Sequence, residues 1–94
     1  MTVSPGERRR QVRVANRLGL HARPAAEFVK LANRFSSDIL VLRDDMEVNG
    51  KSIMGMMMLA AEQGVELVIR ASGDDADDAL SALAALVERG FGED

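Results

Sequence analysis

A chain of 94 residues has room for one compact domain, and its 47% hydrophobic content lets that domain bury enough apolar surface to fold. The absence of cysteine excludes a disulfide framework, a thiol nucleophile and a cysteine-based zinc site, and fits a reducing compartment. A net charge of -3, with three Phe and neither Trp nor Tyr, argues against nucleic-acid binding, which draws on a basic field and aromatic stacking surfaces.

The stretch from Met1 to Arg10 is polar, contains Ser4-Pro5-Gly6 and ends in Arg8-Arg9-Arg10. It lacks the apolar run of a secretory signal, and nothing in the chain approaches the roughly 20 apolar residues that span a bilayer. A cytoplasmic location without membrane insertion is therefore expected. Residues 1–9 read as a flexible extension with the arginine triplet as a solvated flank, and residues 10–94 as the folded domain.

The first strand is predicted over Arg10 to Ala15, where Val12 and Val14 alternate with Gln11 and Arg13. Asn16 to Leu20 connects it to a helix over Ala22 to Phe35. Ala25, Phe28, Val29 and Ala32 form one apolar face of that helix, and Pro24 occupies its first turn, where a missing N–H costs nothing. Asp38 to Arg43 and Met46 to Asn49 read as two strands joined by Asp44-Asp45. A short helix follows from Ser52 to Ala61, with Ser52 as N-cap and Gly55 weakening it. Val65 to Ala71 is a fourth strand. The last helix runs from Asp74 to Arg89, with Asp74, Asp75, Asp77 and Asp78 complementing its positive end, Ala76, Leu80, Leu83 and Val87 as its buried stripe, and Gly90 ending it. The order β-α-β-β-α-β-α suits an α+β fold, a sheet with its helices on one face. If Ile39 and Val41 face the helices, Leu40, Leu42 and Val68 face outward, a patch that the N-terminal extension or a second subunit would partly cover.

His21 is the only histidine. It stands at the start of the first predicted helix, after Leu18-Gly19-Leu20 and before Ala22-Arg23-Pro24. Free N–H groups and the helix dipole attract anions there, and Arg23 adds a forked cation suited to phosphate. A nucleophilic imidazole, an anion-friendly helix end and an arginine thus converge within three residues. The alternative, that His21 merely caps the helix and Arg23 is solvated, is compatible with the same spacing. No second histidine or cysteine offers a metal site, and no glycine-rich nucleotide loop is present.

The segment Leu18-Gly-Leu-His-Ala-Arg-Pro-Ala25 resembles the active-centre signature of the HPr family, the histidine-containing phosphocarriers of the bacterial phosphoenolpyruvate-dependent phosphotransferase system. Val48-Asn-Gly-Lys-Ser-Ile-Met-Gly55 resembles the same family's regulatory serine region. The resemblance extends from about Arg10 to Gly90. It implies an open-faced β-sandwich, a four-stranded antiparallel sheet of order 1-4-2-3 with three helices on one face. It implies no cofactor and a monomer that is a carrier and not an enzyme. His21 would accept a phosphoryl group on Nδ1 from phosphorylated enzyme I and pass it to a IIA-type protein. Arg23 would neutralise the group, the amides of Ala22 and Arg23 would bond to it, and Pro24 would set the helix start. Ser52 would be the target of HPr kinase/phosphorylase. Ile53, Met54 and Met57 would dock partners, with Lys30 at the border of that patch and Asn33 standing where many relatives carry a basic residue.

Two other readings stand beside this one. Gly55 to Glu62 and Gly90-Phe91-Gly92 resemble the nitrogen-related branch of the phosphotransferase system, whose output is regulatory. The element order also describes a ferredoxin-like sensor or interaction module, in which His21 would be a cap and nothing would be transferred.

Overall fold

In the computed structural model, which describes residues 6–93, the elements follow as β1 (Glu7–Arg13), α1 (Ala22–Ala32), β2 (Asp38–Arg43), β3 (Met46–Asn49), α2 (Ile53–Met58), β4 (Glu66–Ser72) and α3 (Ala76–Glu88). A short 3-10 turn over Gly90–Gly92 closes the chain. The strands make one antiparallel sheet in the order β1-β4-β2-β3. Val12, Ile39, Val41, Leu67, Ile69 and Ala71 alternate onto its inner face and are buried, as are Phe28 of α1, Met56 of α2 and Leu83 of α3. The expected α+β open-faced sandwich and its strand order are therefore those of the structure.

The strand pattern starts β1 at Arg10, but the strand begins at Glu7 and ends at Arg13, so positions 7–9 belong to the sheet and not to an extension. The remainder of that extension lies outside the described residues. Arg8-Arg9-Arg10 is exposed to solvent as expected, but it is part of the β1–β4 ladder, and Arg8 and Arg10 reach Asp77 and Glu88 of α3 at 3.3 and 3.8 Å. Arginine has no strand preference, so only pairing with β4 reveals its place. Charges of this kind also suit an edge strand, because they discourage pairing with another chain.

Each helix is shorter than its periodicity suggests, α1 through a local cap at its end and α2 and α3 through tertiary contacts. α1 stops at Ala32, where Asn33 serves as C-cap and its Nδ2 donates to the Val29 carbonyl. α2 stops at Met58, since Arg43 donates to the carbonyls of Leu59 and Ala60, and Ala60 turns to a φ of 48°. α3 begins at Ala76 and not at Asp74. The carboxylate of Asp75 does not cap it: it accepts from the amides of Ser36 and Ser37, both at 2.9 Å, and from the Ser37 hydroxyl. Those bonds, the Ser37 hydroxyl foremost, hold the Asp75 carboxyl down at about 2.

Leu40, Leu42 and Val68 do lie on the outer face, but each is only half exposed. Long polar side chains flank them. Arg70 lies 3.9 Å from Glu7 and 3.7 Å from Glu47, and Glu66 accepts from Gln11 while pairing with Arg13.

Candidate functional site

The connection from Asn16 to Leu20 delivers His21 to the start of α1, and backbone contacts lock its path. The Leu20 amide donates to the Ala61 carbonyl at 2.9 Å. Gly19 passes so close to that segment, with φ +69°, that a Cβ would lie 2.3 Å from the Ala61 oxygen. Buried Asn16 closes the loop from within, its Nδ2 donating to the Gly19 carbonyl at 2.7 Å.

His21 is the N-cap of α1, with extended backbone angles and no side-chain capping bond. Its carbonyl accepts from the Ala25 amide at 3.0 Å, the first bond of the helix. Pro24 is buried in the first turn and contributes no N–H, so the helix start offers the amides of Ala22 and Arg23. Neither finds a loop or cap acceptor among the described residues. The imidazole is 37% exposed, which leaves it open to a visiting molecule. His21, Ala22, Arg23 and Pro24 are thus brought together as their spacing suggests.

Two participants escape the sequence reading. Glu93 returns to the site and accepts from His21 Nε2 at 2.9 Å, from Asn16 Nδ2 at 2.9 Å and from the Arg23 guanidinium. Burial alone pushes the Glu93 carboxyl up, but the bonds from His21, Asn16 and Arg23, with the Arg23 charge, hold it below the usual carboxylate range. The second participant is Asn16 itself, which joins the loop to this carboxylate. The available signal was Gly90-Phe91-Gly92. Their φ values of 65°, 57° and 74° reverse the chain after α3, and Phe91 is buried as the anchor of that turn. Arg23 also pairs with Glu27 at 2.9 Å, one helical turn on.

Ser52 is the N-cap of α2, its Oγ accepting from the Gly55 amide at 3.0 Å. Gly55 packs so near that a Cβ would meet Ser52 Oγ at 3.3 Å, so the residue that weakens the helix also makes room for the hydroxyl. Ile53, Met54, Met57 and Met58 are exposed and line one apolar concavity, while Met56 is buried. Lys30 does not line that concavity. It lines a groove between α1 and α3 with Arg34, Leu86, Arg89 and Phe91. Among the described residues no group of three metal-ligating side chains occurs, and no helix is long and apolar enough to cross a membrane.

Fold and site define a small α+β protein whose single histidine stands at an anion-attracting helix start. The family model described as "PTS HPr component phosphorylation site" matches residues 8–89. The phosphocarrier protein HPr of Treponema pallidum is 51% identical over 83 residues, covering 88% of this chain and 94% of that protein. The HPr-like protein Crh of Bacillus subtilis is 50% identical over 78 residues, covering 83% of this chain and 92% of that protein. The crystal structure of HPr-C-His from Thermoanaerobacter tengcongensis superposes with a TM-score of 0.88 at 47% identity, covering 93% of this chain and 98% of that one. The chain belongs to the HPr family, the phosphocarrier proteins of the phosphotransferase system, which are carriers and not catalytic enzymes. The sensor reading of the element order is thereby set aside.

Proposed function

We propose that His21 accepts a phosphoryl group on Nδ1 from phosphorylated enzyme I and hands it to a histidine of a IIA-type protein. The observation that carries this reading is the half-exposed imidazole at the start of α1, beside the amides of Ala22 and Arg23 and the Arg23 guanidinium. Phosphoryl transfer needs positioning and charge neutralisation more than covalent machinery. The amides and Arg23 supply both, and an open site lets the group leave again. Arg23 exchanges a carboxylate partner for the phosphoryl oxygens. The protein acts in the cytoplasm as a monomer and needs no cofactor.

Ile53, Met54 and Met57 dock the partners, since flexible thioethers adapt to more than one surface. Lys30 contributes from the neighbouring groove. Phosphorylation of Ser52 by HPr kinase/phosphorylase adds negative charge beside this patch and weakens docking. The Ser52 oxygen already accepts from the Gly55 amide, so a phosphate there keeps a donor.

Incubation with phosphoenolpyruvate and enzyme I, followed by intact-mass measurement, tests the reading. The expected result is an acid-labile gain of one phosphoryl group that vanishes in His21→Ala; no gain in the wild-type chain overturns it. Offering the phosphorylated chain to sugar-specific and nitrogen-specific IIA proteins separates the two branches.

A further inference from the structure

We propose that Glu93 is a positioning residue that holds the His21 ring proton on Nε2 and so presents the Nδ1 lone pair as the nucleophile. The proposal rests on the reading of His21 as phosphoryl acceptor and names a group that sets its reactive nitrogen. A neutral imidazole carries one proton, and the bond made by one ring nitrogen decides where it sits. Nε2 lies 3.1 and 2.9 Å from the two carboxylate oxygens of Glu93. An ionised carboxylate only accepts, so Nε2 must donate. The depressed titration of Glu93 keeps it ionised through the neutral range. Among the described residues Nδ1 makes no hydrogen bond, so its lone pair is uncommitted.

The carboxylate is well placed to hold this arrangement. Its side chain is only 14% exposed, and Asn16 Nδ2 fixes Oε1 from the buried side. Arg23 binds Oε2, so the same group sets the distance between imidazole and guanidinium.

The transfer step then balances without moving a proton. The Nδ1 lone pair forms the new N–P bond while the bond from phosphorus to the donor nitrogen breaks, and that bond's electron pair stays on the donor ring. Nε2 keeps its hydrogen, so the phosphorylated ring is a cation, and the Glu93 carboxylate lies against its N–H as the counter-charge. In onward transfer the N–P electron pair returns to Nδ1, and the ring is neutral again.

Two-bond ¹H–¹⁵N correlation spectra of histidine-labelled protein at about pH 8.5, some two units above the ordinary imidazole value of ~6.5, read the tautomer directly. The expected wild-type spectrum shows one tautomer, protonated at Nε2. In Glu93→Ala it relaxes toward the mixture of a free histidine side chain, and acceptance from phosphorylated enzyme I slows roughly tenfold. Glu93→Gln, which keeps an oxygen acceptor but not the charge, falls between the two in rate. An unchanged tautomer in Glu93→Ala, or transfer at the wild-type rate, overturns the proposal, since a residue that only anchored the tail would give that result. A wild-type chain that gains no phosphoryl group sinks the carrier reading instead, and the tautomer spectrum still decides the proton placement.

Discussion

The Oε1 of Glu93 and the Nδ2 of Asn16 lie 2.9 Å apart, joining the last turn of the chain to the loop that precedes the histidine. This bond makes the candidate site a meeting of three segments: the Asn16–Leu20 loop, the start of α1 and the turn that carries Glu93.

Arg23 is the mobile cation of the site. Its guanidinium is half exposed and shared between Glu27 and Glu93, so its removal costs the fold only about 1 kcal/mol. Arg23→Ala is expected to slow phosphoryl acceptance roughly 10- to 100-fold, or about 1.4–2.7 kcal/mol of transition-state stabilisation. Rapid-quench kinetics with phosphorylated enzyme I, beside a urea melt, measures both; wild-type rates would show that Arg23 plays no part.

Gly19 leaves no room for a side chain. In Gly19→Ala, a left-handed residue costs about 1–2 kcal/mol and the clash with the Ala61 carbonyl about 1–3 kcal/mol more. Urea denaturation should show a loss of about 3 kcal/mol or a shifted His21 loop. A fully stable variant with unchanged chemical shifts at Leu20 and His21 would mean the loop is not held as described.

Asp75 makes stability sensitive to acid. Its carboxyl titrates near 3.8 when unfolded and at about 2 in the fold. A carboxyl depressed by folding stabilises fully above its unfolded value, and that contribution is lost as pH falls from about 4 through 2. Asp75→Asn should lower the melting temperature at neutral pH and flatten the dependence of Tm on pH within that window. Parallel wild-type and variant curves between pH 4 and 2 would contradict the assignment.

Met54 is 74% exposed, so Met54→Ala should leave stability within about 0.5 kcal/mol of wild type. As part of the docking surface it should raise the enzyme I concentration for half-maximal transfer roughly 3- to 10-fold, leaving the maximal rate nearly intact. An unchanged concentration dependence would remove Met54 from that surface.

Much of the architecture is legible in the chain itself. β2 and β3 occupy their predicted bounds, because an apolar alternation and an Asp-Asp turn are local signals. The buried faces of α1 and α3 follow from helical periodicity alone. His21, Ala22, Arg23 and Pro24 are adjacent in sequence, so their convergence needs only a helix start. The edges of elements were less legible. β1 gains Glu7, Arg8 and Arg9 through pairing with β4, and α2 loses its last turn to Arg43, a residue 15 positions before its helical end.

The covalent order of residues determined the two α helices with strong apolar stripes, the β2–β3 hairpin and the cluster around His21, because each depends on neighbours within a few positions. The tertiary structure alone decided that Glu93 reaches that imidazole across 72 residues and that Asp75 binds Ser36 and Ser37 instead of capping α3. A carboxylate carries no mark of its future partner. Only the closing of the sheet and the turn about buried Phe91 bring donor and acceptor within reach, and there the bonds from His21, Asn16 and Arg23 hold the carboxylate ionised against the cost of burial.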